Sequence, residues 1–374
     1  MLGHKRIPSR EGGVEIVVET LATKMVKRGH DVTVYNRKGR HVSTGEKIKG
    51  QHKYEGVNII SIPTFERKSL NAIVYSFFAT IRACMGHFDV IHFHAEGCCA
   101  MLWLPHLLHI KTVATIHGLD WQRAKWGTFA TKFLHFSEKC AVKYADELIV
   151  LSEGTKQYFR DTYQRETIFI PNGIDKPNIC KADLITKKYG LTKNSYILFV
   201  ARLVPEKGAH YLVEAYKHLK EEASTRNKKL VIVGGRSHSG DYLDKLNKEI
   251  GVEADIIQTG FIEGRELEEL YSNSYIYVLP SDIEGMPLSL LEAMSYGNCC
   301  LVSNIPENVT VTEEHALSFE AGNTEDLQQN LKKLLADEEK VRFYKEQASD
   351  YICNKYKWDD IVDRTLMLYK SKDK

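Results

Sequence analysis

The sequence lacks any cysteine pattern typical of a disulfide framework or a metal site. It contains eight cysteines, two pairs of them adjacent, and no CxxC or Cys/His metal spacing. It also lacks a long hydrophobic run, because the most apolar stretch, residues 98–110, is too short to cross a bilayer. Charges throughout residues 1–30 argue against a secretory signal. These absences favour reduced, mostly buried thiols and a cytoplasmic location.

An excess of charge of one sign is missing as well. Lys and Arg number 51 and Asp and Glu 49, which removes the global case for a nucleic-acid partner. The balance conceals an asymmetry, because residues 1–170 hold 24 basic and 16 acidic side chains and residues 171–374 hold 27 and 33. With 43% hydrophobic and 27% charged residues, the composition excludes a disordered chain. At roughly 150 residues per domain, 374 residues predict two domains.

Short apolar, β-branched runs alternate with longer helical patterns along the chain. Unbroken runs such as YILFVA and KLVIVGG are typical of parallel strands buried on both faces. The strand patterns lie at residues 31–36, 57–63, 89–94, 112–117, 147–152, 196–202, 229–235, 256–261, 276–281 and 299–304, and the helical patterns at 14–28, 126–145, 208–223, 288–296 and 358–369. A breaker cluster, IPNGIDKP at 170–177, interrupts the series once. We predict two doubly wound α/β domains, residues 1–170 and 171–357.

The first domain is short of one strand. A Gly-rich loop at residues 3–13 precedes the first helix, and in a doubly wound domain such a loop follows a central strand. Only Met1 and Leu2 stand before this loop. The strand is therefore either a stub, or the natural chain begins upstream of Met1, and we expect the second.

The most specific motif is PSDIEGMPLSLLEAMSYG, which begins where the strand pattern IYVLP ends. It places Glu284 in a loop and Glu292 eight positions later on a helix. Open α/β sheets bind ligands outside the carboxyl ends of their strands, where this loop lies. Ionised carboxylates accept hydrogen bonds from vicinal sugar or ribose hydroxyls. The alternative is a glutamate favoured by the helix dipole followed by an ordinary helix glutamate.

A helix N-terminus stands between the two acids. Pro287 suits an early helical position, and the N–H groups of Met286 and Leu288 can face an anion there. A basic pair occurs in the loop FVARLVPEKG, where Arg202 ends a strand pattern and Lys207 stands at a helix start. Arg offers a planar fork, and Lys a point charge, to the oxygens of a diphosphate. The alternative is a solvated basic loop.

Two loops of the first domain carry weaker signals. Gly12-Gly13 directly before a helix lets a ligand approach the backbone closely, although a plain turn explains the pair as well. The pair is not a GxGxxG fingerprint, which argues against a nicotinamide dehydrogenase. The strand pattern TVATIH ends in His117, and aromatic and charged residues follow it: Asp120, Trp121, Arg123, Lys125 and Trp126. Aromatic faces stack on sugars and basic groups pair with phosphates, whereas the alternative is a rim loop at the domain interface.

No metal site is predicted. His92 and His94 point to the same sheet face, and the sequence shows no third ligand near them. An acidic DxD motif, expected where a divalent ion holds a nucleotide diphosphate, is absent from the sequence. We expect Arg202, Lys207 and helix N-termini to take the place of the ion, so that neither a metal nor another cofactor is needed.

Together these motifs resemble the retaining, nucleotide-sugar-dependent glycosyltransferases of family 4, which have the GT-B fold. The resemblance covers nearly the whole chain. It implies two Rossmann-like domains facing across a cleft, with a C-terminal helix, residues 358–374, returning to the first domain. It also implies that Arg202 and Lys207 bind the donor diphosphate in the second domain. Glu284 would then accept hydroxyls of the donor sugar, and Glu292 those of the ribose.

The resemblance assigns roles to the first domain as well. His117 matches the family's cleft histidine, which contacts the donor sugar, and Gly12-Gly13 matches its N-terminal glycine loop. These glycines complete the predicted donor site with Met286 and Leu288. The loop 120–126 looks like that of enzymes that build bacterial surface polysaccharides, so we expect this domain to meet a glycan or lipid-linked acceptor. A lipid carrier would bring the basic domain to the anionic inner face of the plasma membrane.

Two departures from the family pattern stand out. The first strand is shortened, and Ser303-Asn304-Ile305-Pro306-Glu307-Asn308 stands where many family members carry Gly-Gly. Two other functions remain open, namely another GT-B enzyme such as a nucleotide-sugar epimerase, or a non-catalytic binder of polyanions or membranes. An epimerase converts the donor alone, whereas a polyanion binder shows salt-dependent binding without a specific nucleotide response.

Overall fold

The computed structural model describes residues 1–39, 50–64, 70–122, 127–235 and 240–370. The chain divides into two compact units. Unit 1 consists of Met1–Asn172 with Trp358–Lys374, and unit 2 of Gly173–Lys357. The division falls inside the breaker cluster at 170–177, two residues after the predicted boundary. Each unit contains parallel strands that alternate with helices along the chain.

The strands correspond closely to the sequence patterns. They are β1 (Thr33–Arg37), β2 (Lys53–Tyr54), β3 (Val57–Ile62), β4 (Val90–His94), β5 (Lys111–Ile116), β6 (Glu147–Val150), β7 (Ile168–Phe169), β8 (Tyr196–Val200), β9 (Lys229–Val233), β10 (Ile256–Gly260), β11 (Ile276–Leu279), β12 (Cys299–Ser303) and β13 (Leu317–Phe319). Each predicted strand has an observed counterpart whose ends differ by at most two residues. The predicted patterns mostly overrun at the carboxyl end, because the apolar run continues into a buried loop there.

The helices follow the same alternation. They are α1 (Gly13–Lys27), α2 (Leu70–Cys84), α3 (Trp103–Leu107), α4 (Thr128–Tyr144), α5 (Glu153–Tyr163), α6 (Leu184–Tyr189), α7 (Ala209–Glu221), α8 (Gly240–Ile250), α9 (Arg265–Asn273), α10 (Leu288–Ser295), α11 (Pro306–Thr312), α12 (Thr324–Ala336), α13 (Glu338–Lys355) and α14 (Trp358–Lys370). Within the residues that the structure describes, no helix combines the length and apolar character needed to cross a bilayer.

The first two residues stand in the central strand position of unit 1. The strands around them pair in the orders β2-β3-β1 and β4-β5-β6-β7. The Leu2 N–H donates to His92 O on β4 at 3.0 Å, and the Leu2 carbonyl accepts from His94 N at 2.8 Å. On the other side, the Met1 carbonyl accepts from Tyr35 N on β1 at 3.0 Å. Met1 and Leu2 therefore join the two groups of strands, and a start of the natural chain upstream of Met1 stays a prediction.

The sheet of unit 2 has the strand order β10-β9-β8-β11-β12-β13, and every neighbouring pair is parallel. This is the doubly wound order, in which the direction of winding reverses between the first and fourth strands of the unit. Here the reversal lies between β8 and β11. Because ligands bind outside the carboxyl ends of strands at such a reversal, the loops that follow β8 and β11 form the expected site.

Burial explains why these strands read as unbroken apolar runs. On β8, the residues Tyr196, Ile197, Leu198 and Phe199 are completely buried. Side chains of α7 and α12 pack in the same core as β8, which covers one face of the sheet. A strand covered on both faces has no solvent side, so the alternation of polar and apolar residues disappears.

Candidate functional site

Two loops of unit 2 pack backbone to backbone where the winding reverses. Gly208 ends the loop after β8 with φ +67°, and a Cβ built there would lie 1.9 Å from the carbonyl oxygen of Pro280, at the end of β11. The Asp282 N–H of the second loop donates to Glu206 O at 3.0 Å. Only a glycine permits this approach. The two loops are thereby held close enough for their side chains to meet.

Lys207 and Glu284 form an ion pair across these loops. Their side chains are only 15% and 7% exposed, respectively. The Ser281 hydroxyl donates to the same carboxylate oxygen at 2.8 Å. The residue predicted to bind a diphosphate and the residue predicted to bind a sugar are therefore partners of one another in the ligand-free structure. An anion that binds Lys207 would compete with this carboxylate for the ammonium group.

The basic residues lie slightly differently from the prediction. Lys207 was placed at a helix start, but it ends a short 3-10 turn, Pro205–Lys207, and α7 begins at Ala209 after Gly208. Arg202 was placed at a strand end, but β8 ends at Val200 and Arg202 is half-buried in the loop. The chain turns at Gly208, which has a left-handed conformation, before α7 begins. The two cations thus lie on a loop and not on a helix.

Glu292 is held in place from a neighbouring helix. The hydroxyl of Tyr271, on α9, donates to its Oε2 at 3.1 Å. Burial raises the pKa of Tyr271 well above its usual value, and the Glu292 charge adds to this, so the phenol remains a donor. The Tyr271 ring stacks on Tyr296, with 5.3 Å between centroids and 12° between planes. The carboxylate therefore accepts a hydrogen bond from a buried phenol whose ring stacks on the partly buried Tyr296.

Both acids of the motif lie close to the same buried phenol. Tyr277 lies on β11 and is completely buried. Burial raises the pKa of its hydroxyl well above the usual value, and the charges of Glu284 and Glu292 contribute to the rise. The structure thus brings Lys207, Glu284 and Glu292 to one edge of the unit 2 sheet.

The helix N-terminus between the acids begins at Leu288, where the helical pattern predicted it. Pro287 is the N-cap of α10 and not its first residue, and Leu288 opens the helix. Met286 is buried just before it. The capacity of the Met286 and Leu288 amides to face an anion stays a prediction.

Sequence reasoning missed the polar residues that follow β12. Asn308 donates to the hydroxyl of Ser303 at 2.9 Å, and that hydroxyl in turn donates to the carbonyl of Ser281 in the motif loop. Burial raises the pKa of the carboxyl of Glu307, next to Asn308, and the charge of Glu284 adds to the rise. The available signal was the departure Ser303-Asn304 itself, where polar side chains stand in place of glycines.

In unit 1, His117 directly follows β5 and meets a stack of histidines. Its Nε2 lies 3.2 Å from Nδ1 of His94. The rings of His94 and His92 stack at 4.0 Å between centroids, which confirms that both point to the same sheet face. His92 also bonds to Oγ1 of Thr115 at 2.7 Å and to the hydroxyl of Tyr369 on α14 at 2.6 Å.

Burial fixes the protonation of this stack. It lowers the pKa of His92 and His94 well below the usual value, so both are neutral near pH 7. Among the described residues, the buried Nε2 of His94 has no hydrogen-bond partner. A buried N–H without a partner is rarer than a buried lone pair without one. The proton of His94 is therefore assigned to Nδ1, which donates to Nε2 of His117, and a neutral His117 carries its own proton on Nδ1.

We predict that unit 1 loses stability on acidification below about pH 6.5, the usual histidine pKa. Burial lowers the pKa of His4 to about 4 and those of His92 and His94 well below 6.5. Below pH 6.5 the unfolded chain binds more protons than the folded one. The free energy of unfolding therefore decreases as the pH is lowered, by up to about 1.4 kcal/mol per pH unit for each histidine. Urea unfolding between pH 7.5 and 5 measures this slope. We expect His94→Asn to reduce this slope, and His109→Gln, which replaces an exposed histidine, to leave it unchanged. An unfolding free energy that does not change with pH would contradict the prediction.

The glycine pair of unit 1 has a structural role of its own. Gly12 is the N-cap of α1, and a Cβ there would lie 2.4 Å from Oε2 of Glu15. The buried Glu15 accepts from Lys5 N at 2.8 Å through its other oxygen. Gly12 thus leaves room for a carboxylate of its own helix, while Gly13 is the first residue of α1. A contact of Gly12-Gly13 with a donor stays a prediction.

Part of the loop after His117 is packed inside unit 1. The Asp120 N–H donates to Oε2 of Glu96, which is completely buried, at 2.8 Å. The half-buried Trp121 lies against the ring of His135, with 4.8 Å between centroids. These contacts agree with a structural role for both residues, and their binding of an acceptor stays a prediction. The other predicted acceptor residues lie outside the described residues: Arg123, Lys125 and Trp126.

We predict that Gly208→Ala strongly destabilises unit 2. The left-handed conformation costs a non-glycine residue about 1–2 kcal/mol, and overpacking against the Pro280 carbonyl adds about 1–3 kcal/mol. Gly190→Ala is the matched control, because Gly190 has φ +65° and a Cβ there meets no atom within 4 Å. Urea unfolding midpoints compare the two variants. Equal shifts would show that the Gly208 loop yields and that the contact of the two loops is not tight.

Two protein-family models match this chain. The model described as Glycosyltransferase Family 4 matches residues 11–176, and the model described as Glycosyl transferases group 1 matches residues 182–351. The chain belongs to glycosyltransferase family 4. The family membership confirms the predicted enzyme class, so the protein is a glycosyltransferase.

Relatives of this family 4 chain include enzymes of bacteria and archaea. An uncharacterized glycosyltransferase of Methanocaldococcus jannaschii is 25% identical over 97% of this chain and 95% of its own length. A protein of Escherichia coli, named UDP-Gal:alpha-D-GlcNAc-diphosphoundecaprenol alpha-1,3-galactosyltransferase, is 30% identical over 59% of each chain.

Solved structures share the fold at low sequence identity. WaaG, described as a glycosyltransferase involved in lipopolysaccharide biosynthesis, superposes with a TM-score of 0.78 over 99% of both chains at 16% identity. HepE of Anabaena, solved with UDP and glucose, gives a TM-score of 0.78 at 15% identity over 98% of this chain and 97% of its own. These similarities confirm the predicted GT-B fold of this family 4 enzyme, whereas the role of each site residue stays a prediction.

Proposed function

We propose that this family 4 enzyme transfers a sugar from a nucleotide-sugar donor to a glycan or lipid-linked acceptor with retention of anomeric configuration. The observation that carries the proposal is the Lys207–Glu284 pair at the reversal of the unit 2 sheet, on the same edge as Glu292. Names of relatives support the acceptor class, because the matched proteins of Escherichia coli and Campylobacter jejuni are named for sugars on diphospho-undecaprenol. We place the reaction in the synthesis of cell-surface polysaccharide.

Donor binding exchanges one anion for another at Lys207. The diphosphate takes the ammonium group from Glu284, and the Arg202 guanidinium adds a second positive charge to the leaving group. Glu284 keeps its bond from Ser281 and accepts hydroxyls of the donor sugar in place of the lysine. Both charges thus remain compensated after the exchange, and no metal ion is required for it.

The remaining donor contacts follow the sequence predictions. Glu292, anchored by Tyr271, accepts the ribose hydroxyls. The Met286 and Leu288 amides support the diphosphate. Gly12-Gly13 and His117 belong to unit 1, and we assign His117 to a hydroxyl of the donor sugar, to which its Nδ1–H donates.

The chemical step is a substitution at the anomeric carbon, without a covalent intermediate between sugar and enzyme. A hydroxyl oxygen of the acceptor forms the new glycosidic bond as the bond from the anomeric carbon to the diphosphate oxygen breaks. The hydroxyl proton passes to the departing diphosphate on the same face, so the configuration is retained. The products are the glycoside and the nucleoside diphosphate, whose charge Arg202 and Lys207 stabilise.

A thermal-shift panel of UDP, GDP, ADP and dTDP, each with and without Mg²⁺, tests the donor site. We expect one nucleotide to stabilise the protein without the ion, and UDP is the first candidate, because HepE was solved with UDP-glucose. Stabilisation that requires Mg²⁺ would contradict the metal-free diphosphate site. No response to any nucleotide would contradict the donor site itself.

Product analysis separates the alternatives. With the donor alone, an epimerase yields an isomerised sugar, whereas the proposed transferase yields at most slow hydrolysis. With an acceptor, the anomeric coupling constant of the product reports retention or inversion.

We expect an enzyme with a lipid-linked acceptor to act in the cytoplasm at the inner face of the plasma membrane, and we expect no specific binding of nucleic acid.

A further inference from the structure

Exposed apolar side chains are concentrated on one part of unit 1. Most of the large hydrophobic side chains that are strongly exposed among the described residues come from a single stretch of sequence, 77–136. They are Phe77, Phe78, Met85, Trp103, Leu107, Leu108, Phe129 and Phe136. Patches of this kind on soluble proteins mark contacts with proteins or membranes.

The helix α2 is apolar on both of its sides. Tyr75 and Ala79 face the core of unit 1 and are completely buried. Phe77, Ile81 and Met85 follow one another at intervals of four on the outer side, where Phe77 is 43% and Met85 64% exposed. The fold needs only one apolar stripe to pack this helix. In the described part of unit 1, Phe77 and Met85 of the second stripe remain exposed.

The helix α4 carries an outward stripe of alternating aromatic and basic residues. Phe129, Lys132, Phe136, Lys139 and Lys143 recur at intervals of three and four, which places them on one side of the helix, and all five are exposed. The single acid of α4, Glu138, is completely buried on the opposite side.

These helices are neighbours in unit 1. The helix α3 contacts both α2 and α4, and it brings Trp103, Leu107 and the adjoining Leu108 to the surface. The helices α2 and α3 contain no acidic residue, and α2 adds the exposed Arg82. We call the exposed side chains of α2, α3, Leu108 and α4 the aromatic-basic face. Every charge that these helices present on it is positive.

The charge of this face decides its occupant. A second copy that packs through the same face would set Lys132, Lys139 and Lys143 against identical lysines with no acid on the face to pair them. An anionic bilayer complements the face, because interfacial helices place Phe and Leu at the acyl boundary and Lys or Arg at the lipid phosphates. We propose that the aromatic-basic face binds the surface of a membrane containing anionic lipid. This deepens the proposed function and rests on it for the lipid-linked acceptor.

Sedimentation with lipid vesicles tests the face without donor or acceptor. Vesicles of equal parts phosphatidylcholine and phosphatidylglycerol are compared with vesicles of phosphatidylcholine alone. We expect the protein to sediment with the anionic vesicles at low salt, and salt to weaken this binding. Equal binding to both vesicles, or to neither, would overturn the proposal.

Two variants divide the face into its apolar and basic parts. Phe129→Ser with Phe136→Ser removes the aromatic groups. The triple substitution Lys132→Gln, Lys139→Gln and Lys143→Gln removes the charges. We expect each set to lower vesicle binding at least tenfold. The control for the aromatic groups is Phe343→Ser in unit 2, because Phe343 is 54% exposed and Phe136 is 55% exposed. The control for the charges is the triple substitution Lys248→Gln, Lys333→Gln and Lys340→Gln, at exposed positions of unit 2.

The thermal unfolding of each variant verifies folding, and light scattering reports its mass. If the variants of the aromatic-basic face are folded and bind vesicles as strongly as the wild type, the proposal is overturned. A dimer that dissociates on Phe129→Ser with Phe136→Ser would overturn it as well, because a second copy would then cover the face. Since the nucleotide panel involves no lipid, failure of vesicle binding with an intact nucleotide response rejects this face alone, and the reverse result rejects the donor site alone.

Discussion

Replacing Lys207 with Met lowers turnover by a factor of about 10²–10³, the loss typical of one removed group that stabilises charge in a transition state. The ammonium group is lost from the place where the diphosphate develops its charge on leaving. Because Lys207 holds Glu284 in the ligand-free state, the variant also leaves the carboxylate in position to repel the donor. We therefore expect KM for the donor to rise together with the fall in kcat. Initial rates at varied donor concentration measure both.

The variant also leaves a largely buried carboxylate without its cation, which by itself destabilises the fold. Lys207→Met with Glu284→Gln removes both charges and separates the two effects. We expect thermal stability to recover in this double variant while activity stays low. Arg202→Met has a loss similar to that of Lys207→Met, whereas Lys248→Met, at an exposed position of unit 2, leaves activity unchanged. Full activity of both Lys207→Met and Arg202→Met would show that the diphosphate lies elsewhere.

Replacing Glu292 with Ala weakens binding of the nucleotide about 10- to 100-fold, because a hydrogen bond to a charged group contributes about 1.5–3 kcal/mol. The loss appears as a higher KM for the donor and a weaker Kd for the free nucleoside diphosphate. kcat changes less, since the ribose is remote from the bond that breaks. Isothermal titration of the nucleoside diphosphate measures the affinity directly.

Tyr271→Phe is the matched control for this effect. It removes the phenol that orients the carboxylate but keeps the acceptor itself, so we expect an indirect loss of only about 2- to 10-fold, or about 0.5–1.5 kcal/mol. A 2′,3′-dideoxy nucleotide supplies the decisive comparison. If Glu292 accepts the ribose hydroxyls, the dideoxy compound binds equally to the wild type and to Glu292→Ala. A further loss with Glu292→Ala would assign the carboxylate to another part of the ligand.

The sequence predicted the central strands better than the edges of the sheets. Each predicted strand, from 31–36 to 299–304, has an observed counterpart, because a strand covered on both faces must be apolar throughout. The edge strands β2, β7 and β13 have only two or three residues and no such run. The helices α12 and α13 were missed too, although their side chains enter the unit 2 core, because no motif directed attention to them.

For the site, the motif and the family resemblance predicted roles for Glu284 and Glu292, which stay predictions, but they did not predict the partners of the two side chains. The ion pair of Lys207 with Glu284 joins residues separated by 77 positions. It depends on the close approach of Gly208 to Pro280, which no local pattern encodes. The polar residues Ser303 and Asn308 belong to the same loop arrangement, yet in sequence they read only as a departure from a glycine motif.

By itself, the sequence determined the class of fold, the division near residue 171, and the residue types that can hold a diphosphate and vicinal hydroxyls. These properties depend on local composition and on buried strands, which produce a recognisable pattern of apolar residues within a short segment. Only the tertiary structure decided which of these residues meet, since parallel strands that are distant in sequence become neighbours where the winding reverses. It also showed that the basic half of the chain exposes an aromatic-basic face, because exposure depends on how each helix packs and not on its composition.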